Sequence, residues 1–200
     1  MKLDVPKNSL IIFTNNADKL NEFRAMLSGQ NRMVLGYREV FKEYIDVVED
    51  GQTFEENVLK KVNAAPRVEG AFFLADDSGL EVDALDKRPG IYSARYGGDI
   101  SSRERCALLL SEMEGVTDRS ARFRCVIALR FPDGHNEVFD GRIEGAISDS
   151  IRGENGFGYD PVFIPLGHSV TFAEMTSDEK HVLSHRGKAL NKVSFILKEH

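Results

Sequence analysis

The sequence predicts an α/β protein built on one mixed β-sheet that helices flank. Strand patterns alternate with helix patterns in the first half of the chain, which favours parallel strands joined by helices. A long alternating segment followed by the turn Pro132-Asp133-Gly134 indicates an antiparallel hairpin in the second half. No repeat, low-complexity run or linker divides the chain, so a single domain over residues 1–200 is expected.

Short apolar runs and helical spacings define the elements of the first half. The run SLIIFT predicts a strand, and apolar residues at helical spacing predict a helix that Asn16 or Asp18 could cap. Thr53-Phe54-Glu55-Glu56 matches a capping box and predicts a second helix. The predicted elements are a strand over Ser9–Thr14, a helix over Asp18–Ser28, a strand over Val40–Val48, a helix from Thr53 to about Val68 and a strand over Phe72–Ala75.

Alternation and turn residues define the second half. Apolar residues alternate with arginines up to Phe131, which is typical of a half-buried strand. Glycines and prolines indicate loops over Lys87–Gly98 and Gly153–Gly158. The other predicted elements are a helix over Ser101–Met113, strands over Phe123–Phe131, Glu137–Ile143 and Gly145–Ile151, and a final helix over His185–Lys198.

The composition is that of an ordinary globular protein and disfavours several functions. The net charge of −6 argues against a nucleic-acid-binding surface, so no nucleic-acid partner is expected. No apolar stretch approaches a membrane span and the first residues do not resemble a secretory signal, so a cytoplasmic protein without a membrane partner is expected. Cys106 and Cys125 lack the spacing of a metal motif and are expected to be buried free thiols.

The segment TNNADK, residues 14–19, joins the first predicted strand to the first helix. Such a junction points backbone N–H groups outward and can bind an anion, and Lys19 could reach a phosphate from the first turn. A plain capped helix with a solvated lysine explains the same residues. The segment is not a P-loop, because the glycines and the GK[ST] ending are missing.

Three acidic residues stand at predicted strand ends, Glu49 after the second strand and Asp76 and Asp77 after the third. They suit Mg²⁺, which takes one or two carboxylates and completes its shell with water and phosphates. The alternative is a polar turn in which the aspartates cap the local backbone. Asn57 and Lys61 share one face of the second helix, for which a solvated polar face is the commoner explanation.

Two segments near the C-terminus combine aromatic, acidic and basic residues. In GENGFGYDPVF, Phe157 and Tyr159 offer faces on which a base could stack, and Asp160 could accept hydrogen bonds from ring N–H groups. A turn whose phenylalanine is anchored in the core is the alternative. The segment SDEKHVLSHRGKAL concentrates basic residues where a helix begins, and a solvated basic helix end is the alternative there.

Six sequence blocks, spread over nearly the whole chain, resemble one known family. They are TNNADK at 14–19, EDGQTFEEN at 49–57, ADDSGLEVDAL at 75–85, PGIYSARYGG at 89–98, GFGYDPVF at 156–163 and EMTSDEKHVLSHRGKAL at 174–190. With these blocks the chain resembles the inosine triphosphate pyrophosphatases, the Ham1-like non-standard purine NTP pyrophosphatases. Six blocks in the same order are far more specific than any one of them.

The resemblance implies an activity, a cofactor and a fold. The activity is Mg²⁺-dependent hydrolysis of ITP, dITP and XTP to the monophosphate and pyrophosphate, which removes deaminated purines from the nucleotide pool. The fold is an elongated mixed sheet flanked by helices, with two lobes around a central nucleotide-binding cleft. The implied partners are a purine nucleoside triphosphate as substrate and a second copy of the chain in a homodimer.

The resemblance also implies roles for individual residues. Glu49 and Asp77 match the metal-binding acids, and Asp77 matches the general base as well. A bound cation lowers the basicity of a carboxylate, so we expect Asp77 to position the attacking water and Asp76 to tune its charge. Positions that match substrate contacts, with Lys19 on phosphate, are Thr14, Asn15, Asn16, Ala17, Asp18, Lys19, Asn57, Lys61, Ser78, Phe157, Gly158, Tyr159, Asp160, Lys180, His185 and Arg186.

The chain departs from the family pattern at Asn15, where glycine is usual, and at Val58, where alanine is usual. Asparagine tolerates positive φ, but its side chain could crowd the phosphates.

Two other functions remain open, a Maf-like pyrophosphatase for pyrimidine or modified nucleotides and a non-catalytic nucleotide-binding regulator. The GFGYD and SHR blocks favour a purine substrate, and the three acids together favour an enzyme.

Overall fold

The structure, a computed structural model, describes residues 5–199 and contains a six-stranded mixed β-sheet with the order β2-β1-β3-β4-β5-β6. Within this range the strands are β1 (Leu10–Ile12), β2 (Val34–Gly36), β3 (Phe72–Val82), β4 (Ser120–Arg130), β5 (Asn136–Ile147) and β6 (Phe163–Pro165). The helices are α1 (Ala17–Leu27), α2 (Tyr37–Val40), α3 (Phe54–Ala64), α4 (Ser102–Glu112), α5 (Ser177–Leu183) and α6 (His185–Glu199). The predicted α/β class is confirmed.

Parallel and antiparallel pairing occur in the same sheet. Strand β1 pairs in parallel with both β2 and β3, and Leu10 lies opposite Val34 on one side and Phe72 on the other. Strand β5 pairs with β6 in the antiparallel direction, with Gly145 opposite Pro165. The predicted hairpin is present, because β4 and β5 are neighbours joined by a turn in which Phe131 donates its N–H to the carbonyl of His135.

The chain forms two compact units, each with its own hydrophobic core. Of the described residues, the first unit comprises residues 5–77, Cys125–Asp140 and residues 189–199, and the second comprises Ser78–Arg124 and Gly141–Lys188. The first core includes Leu10, Phe23, Leu74, Ile127 and Val193, and the second includes Leu80, Leu109, Phe123, Phe163 and Phe172. The single domain over 1–200 stays a prediction. No helix within residues 5–199 has both the length and the apolar character that crossing a membrane requires.

Strand β3 continues through Asp76 and Asp77 as far as Val82, although the sequence predicts a strand end there. That predicted end is wrong, and so is the alternative of a polar turn. Adjacent charges predict an end because carboxylates are rarely buried without a partner. In this strand each aspartate has a lysine partner, so the backbone ladder continues past them.

The predicted strand over Val40–Val48 is also wrong. The second strand is β2, and residues 41–53, between α2 and α3, contain neither helix nor strand. Their aromatic residues pack into a cluster instead, in which the ring of Tyr37 lies 4.7 Å from the rings of both Phe13 and Phe41. Aromatic and β-branched residues predict a strand from the sequence, but a segment with this composition can also pack against the end of a sheet without pairing with it.

Several element boundaries differ from the predictions. Helix α3 ends at Ala64 rather than near Val68, because Pro66 disfavours helical backbone before it. The predicted strand over Gly145–Ile151 is wrong as a separate element, since its first residues complete β5. The short elements β6 and α5 carry too little periodicity to be detected from the sequence. The final helix and both predicted loops are confirmed in position.

Arg130 closes the C-terminal end of α3 inside the first unit. Its guanidinium donates to the carbonyls of Val62 and Ala65, both at 2.8 Å, and to that of Pro66 at 2.9 Å. The same group lies 4.5 Å from the ring centroid of Phe73. These carbonyls have no partner within the helix, so a buried arginine satisfies them where water cannot.

We expect Arg130→Met to lower the free energy of unfolding by about 2–4 kcal/mol, because it leaves buried carbonyls without donors. Urea denaturation monitored by circular dichroism measures the loss. The matched control is Arg142→Met, since that side chain is 68% exposed. Equal stabilities of the two variants would contradict the capping role of Arg130.

Candidate active site

Asp76 and Asp77 lie buried in the middle of β3, with exposed fractions of 3% and 5%. Successive side chains of a strand point to opposite faces, so each carboxylate needs its own partner. The Nζ atom of Lys19 lies 2.8 Å from Oδ2 of Asp76. Lys19 is in the first turn of α1, where Asn16 caps the helix by accepting the Lys19 N–H at 3.1 Å. The cap and the ion pair therefore fix the start of α1 against β3.

Lys61 of α3 joins the other carboxylates. Its Nζ atom lies 2.8 Å from Oε2 of Glu49 and 3.5 Å from Oδ1 of Asp77, and it donates to the main-chain carbonyl of Asp76 at 3.1 Å. Burial opposes a charge on this ammonium, but Asp77, Glu49 and Asp76 outweigh it and raise the pKa of Lys61. Lys61 is therefore a fixed cation beside the acids.

Asn57 connects Asp77 to the turn that follows Glu49. This fully buried side chain accepts the N–H of Gly51 through Oδ1 at 2.8 Å and donates through Nδ2 to Oδ2 of Asp77 at 3.1 Å. A Cβ atom at position 51 would lie 2.6 Å from Oδ1 of Asn57, so glycine is required there. Both ends of the amide are used inside the protein, which makes Asn57 a residue that orients Asp77.

The turn over residues 14–19 is exposed except for its ends. Asn15, Asn16, Ala17 and Asp18 are all exposed at the start of α1, and the N–H of Asn16 donates to Oγ1 of Thr14 at 3.1 Å. Within residues 5–199 the non-glycine residues with positive φ are Asn8, Asp86 and Lys87. Asn15 thus has an ordinary backbone, and its side chain accepts a hydrogen bond from Nε of Arg38 at 2.9 Å.

In the second unit, Asp160 holds the glycine-rich loop in place. Its Oδ2 atom accepts the N–H of Phe157 and an N–H of Lys180, both at 2.7 Å, and Asp160 and Lys180 are each buried. The Nζ atom of Lys180 also lies 4.8 Å from the ring centroid of Phe157. Gly156 has a φ of 72°, and a Cβ atom there would lie 2.1 Å from Oδ2 of Asp160. The loop can close on its aspartate only because that position is glycine.

The SHR block supplies a second buried cation to the same unit. Arg186 is 2% exposed, donates from Nη2 to Oγ of Ser78 at 3.0 Å, and lies 5.5 Å from the ring centroid of Phe157. His185 is buried and its ring stacks on Phe123, with centroids 4.7 Å apart and planes 10° apart. The solvated basic helix end considered for this block is therefore excluded for these residues.

Tyr159 belongs to the core, which corrects the expectation that it offers a stacking face. It is 4% exposed, its hydroxyl donates to the carbonyl of Ser93 at 3.1 Å, and burial raises its pKa. The ring is large and apolar, and its single polar atom finds a partner inside, so burial is the more stable arrangement.

Nearby, the Cys106 thiol donates to the carbonyl of Gly158 at 3.3 Å, and Cys106 and Cys125 are the expected buried free thiols.

Glu49 and Asp77 are suitable ligands for Mg²⁺. Their carboxylates both approach the ammonium of Lys61, so two anionic donors converge on a single positive charge. Within residues 5–199 there is no cluster of three or more His, Cys, Asp or Glu side chains able to hold a metal. This donor set fits an ion that shares its shell with water and phosphates, and not a metal held by protein ligands alone.

The structure groups the predicted residues within each unit. In the first it joins the α1 junction, Glu49, Asn57, Lys61 and Asp77, and in the second it joins Ser78, the GFGYD loop, Lys180 and Arg186. Sequence reasoning missed the direct pairing of Lys19 with Asp76. It also missed Arg38 and Tyr44, because neither lies in one of the six blocks.

The sequence and the fold agree with known proteins. A model of the Ham1 family matches residues 10–195. The chain belongs to the Ham1 family. Among curated family members, the dITP/XTP pyrophosphatase of Geobacter sulfurreducens is 47% identical, covering 96% of this chain and 95% of that protein. The dITP/XTP pyrophosphatase of Bacillus subtilis is 43% identical, covering 94% of this chain and 96% of that protein.

Solved structures of Ham1 proteins have the same fold. The Ham1 protein of Staphylococcus aureus superimposes with a TM-score of 0.84 at 41% identity, covering 96% of this chain and 98% of that one. The HAM1 protein of Coxiella burnetii gives a TM-score of 0.85 at 38% identity, covering 96% and 99%. Identity at this level over nearly the full length supports the assignment to the family and not only to the fold.

We expect Lys61→Met to lower the free energy of unfolding by about 2–4 kcal/mol in the presence of a chelator, because Asp77 and Glu49 lose their shared cation. Added Mg²⁺ should restore part of the loss, since it can take the same position between the carboxylates. Urea denaturation with and without Mg²⁺ measures both effects. The matched control is Lys60→Met, which removes an exposed partner of Asp50. If the variants lose equal stability, or Mg²⁺ restores neither, Lys61 does not hold the acids.

Proposed function

We propose that this chain hydrolyses dITP, ITP and XTP to the nucleoside monophosphate and pyrophosphate, with Mg²⁺ as cofactor. The observation that carries the proposal is the cluster of Glu49, Asp76 and Asp77 with Lys19 and Lys61. Burying several acids and lysines close together costs desolvation free energy, so a function is expected to require them. A site that transfers phosphoryl groups needs both kinds of charge. The Geobacter and Bacillus relatives bear the name dITP/XTP pyrophosphatase, which supports this substrate class.

The lysines bind and neutralise the triphosphate in this mechanism. Lys61 is held charged by the surrounding carboxylates, and Lys19 stands in the first turn of α1, where backbone N–H groups also favour an anion. Phosphate oxygens can replace carboxylate oxygens as acceptors for the two ammonium groups. The lysines then stabilise the charge that develops on the phosphoryl oxygens during transfer.

Glu49 and Asp77 would hold Mg²⁺, which supplies positive charge to the phosphates and Lewis acidity to the reacting oxygens when it is bound. Asp77 orients the attacking water through its carboxylate, which Asn57 fixes by a hydrogen bond to Oδ2. The water oxygen forms a bond to phosphorus in line with the departing oxygen, and the pyrophosphate leaves as that P–O bond breaks. Burial raises the pKa of Asp77, whereas a cation bound to its carboxylate would lower it, so Asp77 positions the water and the water proton passes to solvent.

The second unit recognises the base in this proposal. The partly exposed ring of Phe157 offers a stacking face, and the buried groups of Lys180 and Arg186 beside it are donors. Hypoxanthine and xanthine carry a keto oxygen at C6 that accepts from such donors. Adenine carries an amino group there, which cannot accept a hydrogen bond from these donors, so ATP lacks an interaction that the keto purines make and is rejected.

We further propose a homodimer in the cytoplasm and a single domain over 1–200. The support for these is the match of the six sequence blocks to a family with that organisation. No nucleic acid and no membrane take part in the proposed reaction, since the substrate is a free nucleotide.

Chromatographic product analysis tests the function directly. We expect dITP, ITP and XTP to yield monophosphate and pyrophosphate only when Mg²⁺ is present, and ATP and GTP to react far more slowly. Asp77→Asn should lower kcat by about 10²- to 10⁴-fold, because the attacking water loses its orienting carboxylate. Arg186→Ala should reduce the preference for ITP over ATP by about tenfold, because a buried donor to the keto oxygen is lost.

The matched control for Asp77→Asn is Asp50→Asn, because Asp50 directly follows Glu49 in the chain but is exposed and pairs with Lys60. Its turnover should stay near that of the wild type. Release of orthophosphate would overturn the reaction type. Nucleotide binding without turnover would favour a non-catalytic regulator, and a preference for pyrimidine triphosphates would overturn the substrate class.

A further inference from the structure

Arg38 contacts two segments of the first unit that have different roles in the proposed reaction, one binding phosphate and the other carrying a metal ligand. It lies exposed on the short helix α2 and donates from Nε to Oδ1 of Asn15 at 2.9 Å. Its guanidinium carbon also lies 5.2 Å from the ring centroid of Tyr44. Asn15 belongs to the junction over residues 14–19, and Tyr44 belongs to the segment over residues 41–53 that carries Glu49.

Tyr44 anchors this segment to the end of β1. Its ring stacks on that of Phe13, with centroids 5.3 Å apart and planes 19° apart, and it meets the edge of Tyr37 at 5.3 Å. Phe13 immediately precedes the phosphate-binding junction in the chain. Burial raises the pKa of Tyr44, and the charges of Lys61 and Glu49 also act on its hydroxyl, so this ring lies within electrostatic reach of the acid cluster.

The segment over residues 41–53 has no regular backbone hydrogen bonding of its own, because it contains neither helix nor strand. Holding Glu49 at a defined position therefore costs conformational entropy that side-chain contacts must offset. The planar guanidinium of arginine is suited to this task, since it can donate a hydrogen bond in its plane and stack on an aromatic ring with its face. A glycine at position 15 could not accept that hydrogen bond through a side chain.

We infer that Arg38 is a positioning residue that links the phosphate-binding junction, through Asn15, to the segment that carries Glu49, through Tyr44. This inference rests on the proposed function of the two segments. It assigns a role to Asn15, the position at which the chain departs from the glycine that is usual in its family. The link fixes the position of the Glu49 carboxylate relative to the phosphate-binding turn, so that an ion bound at Glu49 contacts the phosphates bound at the junction.

The test compares Arg38→Gln, Asn15→Gly and the double variant. Each single change should raise the Mg²⁺ concentration for half-maximal dITP hydrolysis by about three- to tenfold, and Arg38→Gln should leave kcat at saturating Mg²⁺ within about twofold of wild type. The double variant should show no larger shift than either single variant, because both break the same link. A purely structural loss would lower kcat and thermal stability without this selective shift.

Hydrogen exchange provides a readout that does not depend on turnover. In the absence of ligands, amides of residues 14–19 and 41–53 should exchange faster in both single variants, while those of α3 remain protected. The matched control is Arg24→Gln, which removes another arginine contact to this region, the ion pair with Glu39, without touching Asn15 or Tyr44. Its exchange in residues 41–53 and its Mg²⁺ dependence should equal those of the wild type.

Additive effects in the double variant would overturn the link, and so would an equal effect of Arg24→Gln or unchanged exchange in residues 41–53. The exchange result stands apart from the proposed function. If the wild-type protein released no pyrophosphate, the function would fail, while faster exchange in both segments would still establish that Arg38 connects them.

Discussion

Two successive aspartates buried on opposite faces of β3, one of them near Glu49, require compensating positive charge, and two lysines supply it. An unpaired buried carboxylate costs several kcal/mol, a large part of the net stability of a domain. Lys19 comes from the first turn of α1 and Lys61 from α3, so both helices must lie against β3 in one arrangement. Asn16, which caps α1, and Asn57, which donates a hydrogen bond to Asp77, help to hold the two helices in this arrangement.

The same compensation suits the proposed chemistry. A site that must hold a triphosphate and Mg²⁺ needs cations for the first and anions for the second, and this cluster contains both. Lys61 neutralises Glu49 and Asp77 by forming an ion pair with each. In the proposed reaction, binding would exchange partners rather than create buried charge, because the lysines would contact phosphate while the carboxylates contact the metal. The second unit also contains a buried acid that compensates a buried lysine, because Asp160 forms an ion pair with Lys180.

Much of the site could be predicted from the sequence, since the six blocks identify the residues that carry charge. The path of the backbone around them could not. The aspartates look like a strand end because their lysine partners, 57 and 16 residues away in the chain, give no local signal. Tyr159 resembles a stacking residue because an aromatic in a glycine-rich loop can face either solvent or core. Arg38 was missed because its contacts join α2 to two segments with which it shares no sequence pattern.

Paramagnetic broadening by Mn²⁺ in place of Mg²⁺ tests most directly whether the acid cluster is the metal site. In nuclear magnetic resonance spectra of the substrate-free protein, we expect the strongest broadening at the backbone amides of Glu49, Asp77 and Lys61 and at the side-chain amide of Asn57. Signals from the exposed acidic turn at Asp133 should remain sharp. Strongest broadening at that turn, or at any acids other than Glu49 and Asp77, would contradict the assignment of these two residues as the metal ligands.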